Sequence, residues 1–123
     1  MYTITVVDDD RDIRELIEII LSQAGFQVNT AADGETALKS IQDNPPDLII
    51  LDVRLPGMSG YEVCRRIKQK PMLMDVPVVF LTARGQLDEI RQGLEAGAAE
   101  YFLKPFSPKD LIEKIQALIP FYT

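Results

Sequence analysis

Leu48-Ile49-Ile50-Leu51-Asp52 is a run of four apolar residues closed by a single acid. A run this short and this uniformly apolar suits a strand covered on both faces, as in a parallel sheet. The acid that ends it has no packing role. In an open α/β sheet it would stand at the carboxyl edge of the strands, where ligands bind.

Working outward from this run, β-branched or apolar segments recur at residues 4–7, 26–30, 76–81 and 101–103. Helical periodicity fills the intervals. Ile13, Leu16, Ile17, Ile20, Leu21 and Ala24 make one stripe, and Ala37, Leu38 and Ile41 a second. Gly60, Val63, Cys64 and Ile67 make a third, Leu87, Ile90 and Leu94 a thinner fourth. Leu111, Ile112, Ile115, Leu118 and Ile119 make the fifth. Gly25 closes the first helix, Asn44-Pro45-Pro46 the second, Ser59-Gly60-Tyr61-Glu62 reads as a capping box, and Ser107-Pro108 as a cap followed by Pro. The pattern predicts an α/β fold, a (βα)5 doubly wound parallel five-stranded sheet, with right-handed crossovers and flavodoxin-like strand order 2-1-3-4-5. Residues 1–123 are expected to form one domain, since the length suits one and the final Pro120-Phe121-Tyr122-Thr123 is too short for another.

Composition narrows the chemistry. A net charge of −6 disfavours direct binding of nucleic acid, which needs clustered cations. The single cysteine, Cys64, allows neither an internal disulfide nor a thiolate zinc site, and fits a reducing cytoplasm. There is no histidine, so no imidazole base or ligand is available. No apolar run approaches the ~18 residues of a membrane span, and no secretory signal is seen, so a cytoplasmic protein without membrane contact is expected.

In the 2-1-3-4-5 order, strands 1 and 3 are neighbours at the ligand-binding edge, and both end in acids: Asp8, Asp9 and Asp10 after strand 1, Asp52 after strand 3. Two unit charges ~4 Å apart repel by about 4 kcal/mol at an effective dielectric of ~20, so converging carboxylates must protonate or share a cation. An all-oxygen donor set suits a hard ion, Mg²⁺ above all. Asp8 and Asp9 read equally well as solvated loop residues, Asp10 reads better as the helix cap, and Asp12 as a first-turn acid favoured by the helix dipole. Thr82 and Lys104 end the fourth and fifth strands at the same edge, where the lysine can pair with a carboxylate or a phosphoryl oxygen.

Together, Val6-Val7-Asp8-Asp9-Asp10, Leu51-Asp52-Val53-Arg54-Leu55-Pro56-Gly57-Met58, Leu81-Thr82-Ala83 and Tyr101-Phe102-Leu103-Lys104-Pro105-Phe106 resemble the signatures of response-regulator receiver domains, in order and spacing across essentially the whole chain. The resemblance implies a phosphorelay switch. Asp52 would be the phosphoacceptor for a histidine kinase or histidine phosphotransfer protein. Asp9 would ligate Mg²⁺ (or Mn²⁺) directly, Asp8 through water, with the Arg54 backbone carbonyl as a further ligand. Thr82 and Lys104 would bind phosphoryl oxygens, Tyr101 would be the switch aromatic, and the bond to Pro105 would be cis. The switched surface would be helix 4, strand 5 and helix 5. Its only catalysis would be its own phosphorylation and dephosphorylation, and its output would lie with a downstream effector.

Some positions depart from the family pattern. Ser59 stands where the family often has Asp, and serine caps a helix equally well. Ala98-Ala99-Glu100 replaces the acidic pair common in DNA-binding regulators that dimerise through this face. Arg54 and Arg84 occupy two positions that in the family influence loss of the phosphoryl group; two exposed arginines are also ordinary surface residues. A haloacid-dehalogenase-like hydrolase would use Asp8, Asp10, Thr82 and Lys104, but that family needs another acid pair after a later strand, which this sequence does not offer downstream of Thr82, and Asp52 would be left unexplained. A receiver-like module that is never phosphorylated would not need the full set. An FMN site would place phosphate against an acidic loop.

Overall fold

The computed structural model of the chain describes residues 2–83 and 87–119; Arg84 and residues 120–123 lie outside the described residues. Strands β1 (Thr3–Val7), β2 (Gln27–Ala31), β3 (Leu48–Asp52), β4 (Val78–Thr82) and β5 (Glu100–Leu103) alternate with helices α1 (Arg11–Gln23), α2 (Gly34–Asp43), α3 (Gly60–Lys68), α4 (Leu87–Glu95) and α5 (Pro108–Leu118). All strand pairs are parallel and the order is β2-β1-β3-β4-β5, as the alternation predicts.

The uniformly apolar strands are buried along their length because both sheet faces are covered. Alternate residues divide between two cores. Ile4, Val6, Ile50, Val79 and Leu81 pack with Ile17 and Leu21 of α1 and Leu111 and Ile115 of α5. Val7, Ile49, Leu51, Val78 and Phe80 pack with Ala37 and Ile41 of α2 and Val63, Cys64 and Ile67 of α3. Each fully buried Leu, Ile or Phe stabilises the fold by roughly 1.5–3 kcal/mol, so this two-sided packing fixes strand order and register.

Strand limits move where another partner takes the backbone. The Phe26 amide donates to the Leu21 carbonyl at 3.0 Å, so it completes the end of α1 and β2 starts at Gln27. The Val76 amide turns back to Leu73 at 3.0 Å and Pro77 has no amide proton, so β4 starts at Val78 and runs on to Thr82. Of the capping box, the Ser59 half forms: its hydroxyl accepts the Glu62 amide at 3.2 Å. The Glu62 carboxylate instead meets Arg65 at 3.6 Å and Arg66 at 3.1 Å. Two residues assigned to apolar stripes face solvent, Leu16 at 46% and Leu94 at 55% exposure. Beside Leu94 on the fourth helix, the buried positions are the small residues Gly93 and, just past the helix end, Ala96.

One close approach ties helix α3 to the end of β3. The Gly60 amide donates to the Val53 carbonyl at 2.8 Å. A Cβ at residue 60 would lie 2.1 Å from the Asp52 carbonyl oxygen. The obstacle is backbone and cannot swing aside, so Gly60→Ala must push α3 away from the Asp52 loop. The expected cost is roughly 2–4 kcal/mol, within the range of overpacking and backbone distortion. A urea midpoint unchanged from wild type would contradict this close approach.

Candidate functional site

The register carries the sequence-predicted residues to one edge. Val7 pairs with Leu51, so Asp8 emerges beside Asp52. Thr82 pairs with Leu103, and the Lys104 amide donates to the Thr82 carbonyl at 2.8 Å, so Thr82 and Lys104 emerge together. Asp8, Asp9 and Asp52 each place a carboxylate oxygen within 4.8 Å of the others. Asp8 is buried at 1% exposure and Asp52 at 8%, while Asp9 is exposed. The Lys104 Nζ donates to Asp8 Oδ2 at 3.0 Å and to Asp52 Oδ2 at 3.1 Å.

Around this cluster lies an open cavity of about 340 Å³ lined by Asp9, Asp52, Arg54, Thr82, Ala83 and Lys104. Thr82 is buried in its wall. The Arg54 amide donates to Asp52 Oδ1 at 3.1 Å, which holds the carboxylate while the arginine side chain stays at the surface. The Lys104–Pro105 peptide bond is cis, as the motif resemblance implied. Asp10 is the cap of α1: its Oδ1 accepts the amides of Asp12 at 3.0 Å and Ile13 at 3.3 Å, which separates it from the cluster.

Electrostatics follow from burial. Desolvation pushes the Asp8 carboxyl above the ordinary carboxylate range, and the charge of Asp52 adds to this. The Asp10 amide at 2.9 Å and Lys104 pull the other way without cancelling it. Burial pulls the Lys104 ammonium down, but its bond to Asp8 and the attraction of Asp52 outweigh that and leave it raised. The ammonium is therefore charged throughout the neutral range, and its contribution to stability is lost only as pH rises through its raised value.

The donor set fits a hard divalent cation. It consists of oxygens, and the chain has no histidine. The single thiol is out of reach: Cys64 is buried on α3, its S–H donates to the Ala96 carbonyl at 3.3 Å, and burial raises its thiol to about 11.

Four residues absent from the sequence-based site assignment, Arg14, Tyr61, Phe80 and Gly93, stand close to the predicted set. The Arg14 Nη1 donates to the Asp8 carbonyl at 2.8 Å. The Tyr61 hydroxyl meets the Tyr101 hydroxyl at 3.0 Å, and Phe80 packs against both rings at 5.3 and 5.5 Å. Gly93 lies under Tyr101, where a Cβ would come within 2.3 Å of the ring. Position 14 is four residues from position 10 on a helix, so a cation reaching back to the loop was readable; the Tyr61–Tyr101 contact depends on tertiary packing alone.

Fold and site together define a parallel α/β domain with an acid cluster clamped by a lysine at the carboxyl edge of the sheet. Residues 4–116 match the family described as response regulator receiver domain. The chain is 44% identical over 117 residues to the phosphate regulon transcriptional regulatory protein PhoB of Pseudomonas aeruginosa, which covers 95% of this chain and 51% of that protein. It thus spans about half the length of the curated relatives it matches. Among solved structures, a putative response regulator from Chloroflexus aurantiacus superposes with a TM-score of 0.93 at 41% identity, covering 97% of this chain and 98% of that one. The Vibrio cholerae chemotaxis protein CheY4 does so with a TM-score of 0.93 at 33% identity, covering 96% and 98%. The chain belongs to the response regulator receiver domain family, the receiving part of two-component signalling.

Asp8 holds its proton more tightly folded than unfolded. Its ionised form therefore weakens the metal-free fold, a penalty absent below the ordinary carboxylate pKa and complete once pH has passed the raised value. Asp8→Asn is accordingly expected to raise the metal-free unfolding midpoint at neutral pH. It should also abolish any added stabilisation by Mg²⁺. A midpoint below wild type in chelator would show that the Lys104 pair outweighs the burial cost.

Proposed function

We infer that the domain is a phosphoacceptor switch in which Asp52 receives a phosphoryl group from the phosphohistidine of a histidine kinase or histidine phosphotransfer protein. The observation that carries this reading is the Lys104 ammonium held between Asp8 and Asp52 beside a cavity open to Asp9 and Thr82. Asp8, Asp9, Asp52 and the Arg54 carbonyl would hold Mg²⁺, or Mn²⁺ in its place. When bound, the cation neutralises charge on the transferring phosphoryl oxygens.

The remaining work falls to the chain. A carboxylate oxygen of Asp52 forms a bond to phosphorus as the phosphorus–nitrogen bond to the donor imidazole breaks, and the leaving ring nitrogen keeps the electron pair. Lys104 and Thr82 donate to phosphoryl oxygens. Thr82 turning inward would open space beside Tyr101, and the surface of α4, β5 and α5 would report the change to an effector. The domain would catalyse only this transfer onto itself and the later hydrolysis. One domain across residues 1–123 with a cytoplasmic location, and no nucleic acid or membrane contact of its own, belong to the same reading. The twofold length of relatives named as transcriptional regulators supports its being the input part of a longer regulator.

Incubation with acetyl phosphate and Mg²⁺, followed by intact mass measurement, should give a single phosphoryl adduct. The adduct should vanish in chelator and in Asp52→Asn. Steady hydrolysis of the donor that survives Asp52→Asn would defeat this assignment in favour of a hydrolase.

Arg54 lines the cavity, and we extend the same reading to it and to Arg84: these side chains control the access of water to the phosphorylated carboxylate. Replacing both with Ala should change the half-life of the adduct by roughly threefold or more, equivalent to a barrier change of about 0.7 kcal/mol. An unchanged decay would reduce them to solvated surface charges.

A further inference from the structure

Arg14, half-buried in the first turn of α1, grips the loop that presents the acids at two points. Its backbone amide donates to the Asp10 carbonyl at 2.9 Å, and its Nη1 reaches six residues back to the Asp8 carbonyl at 2.8 Å. Asp9 lies between these two fixed carbonyls. The start of the same loop is pinned by the Asp8 amide on the Ala31 carbonyl at 3.2 Å, and the Asp10 amide donates to Asp8 Oδ1 at 2.9 Å. The side chain of Arg14 is thus the cross-link from the helix to the part of the loop that carries Asp8 and Asp9.

We propose that Arg14 is a positioning residue for divalent-cation binding: by clamping the Asp8 carbonyl, its guanidinium fixes the loop path that sets the Asp8 and Asp9 carboxylates. This rests on reading the cluster as the metal site. A charge-assisted bond from a planar, permanently protonated guanidinium suits the task, because it holds a carbonyl without competing for the carboxylates. Groups that orient metal ligands commonly alter affinity by 10- to 100-fold.

Two effects of removing Arg14 oppose each other, and this makes the proposal testable by sign. As a mere positive charge near the cluster, Arg14 repels a cation, so its loss would tighten binding, most at low salt. As a clamp, its loss loosens the loop and weakens binding. The probe is Mn²⁺, whose binding to the full chain is followed by water-proton relaxation, together with the Mg²⁺ concentration giving half-maximal phosphorylation by acetyl phosphate. Arg14→Met, which keeps an aliphatic stem but no donor, and Arg14→Ala should weaken Mn²⁺ binding by roughly tenfold and raise the Mg²⁺ requirement in parallel. The phosphorylation rate at saturating Mg²⁺ should stay within about twofold of wild type, since Arg14 touches no reacting atom.

Arg14→Lys, which retains a cationic donor, should recover most of the affinity. Unfolding curves in chelator identify any variant that fails to fold, and Arg14→Met tests the clamp if Arg14→Ala does fail. Mn²⁺ binding in folded Arg14→Met as tight as wild type, or tighter, overturns the proposal. A wild-type chain that binds no Mn²⁺ would instead overturn the metal-site reading, and the role of Arg14 with it.

Discussion

The Lys104 ammonium between Asp8 and Asp52 is the interaction on which the arrangement turns. It joins the carboxyl ends of β1, β3 and β5, three segments far apart in sequence. Removing two carboxylates from water costs several kcal/mol per ion unless opposite charge and hydrogen bonds replace the lost hydration. Lys104 supplies one charge, and the amides of Asp10 and Arg54 supply bonds to the carboxylate oxygens. The compensation is incomplete, as the raised Asp8 carboxyl shows. The site is therefore kept at some expense to stability, which is usual where charge is gathered for chemistry rather than for packing.

Much of this was legible in the sequence because it rests on patterns local to each strand. The apolar run ending in Asp52 identifies a doubly covered strand, and the order 2-1-3-4-5 then dictates which strand ends meet. The same order brings Asp8, Asp9, Asp52, Thr82 and Lys104 to one edge of the sheet. Where the structure departs from these patterns, a competing partner takes over the local signal. Leu94 fits a helical stripe, yet the contact side of that helix needs small residues under Tyr101. Glu62 fits a capping box, yet two arginines on its own helix take both carboxylate oxygens. Arg14 belongs to no motif; its side chain meets the backbone carbonyl of Asp8, a group that no residue type specifies.

Tyr101 joins the site to the rest of the molecule. Its hydroxyl meets Tyr61 of α3, its ring packs on Phe80 of β4, and Gly93 of α4 makes room beneath it. Glycine inside a helix costs about 1 kcal/mol relative to alanine, and here the ring leaves no space for even a methyl group. Phe80 is two residues from Thr82 on β4, and Tyr101 is three from Lys104. The aromatic rings of Phe80 and Tyr101 thus form a packed surface between the ends of β4 and β5 and helix α4.

Charge balance explains why such a site would respond to phosphorylation at all. Three carboxylates and one ammonium leave two negative charges, which a divalent cation cancels and a monovalent one does not. Conversion of Asp52 to an acyl phosphate removes its carboxylate charge but brings about −1.5 to −2 with the phosphoryl group. The balanced site then carries up to one excess negative charge and several unsatisfied acceptor oxygens. Lys104 and the cation can each serve only part of this demand, so the rest falls on neutral donors at the cavity wall, and the Thr82 hydroxyl is the side-chain donor buried there. Under the phosphoacceptor reading, then, the movement of Thr82 follows from the electrostatics of the modified carboxylate. On that reading, the aromatic cluster behind it would determine where the movement is felt.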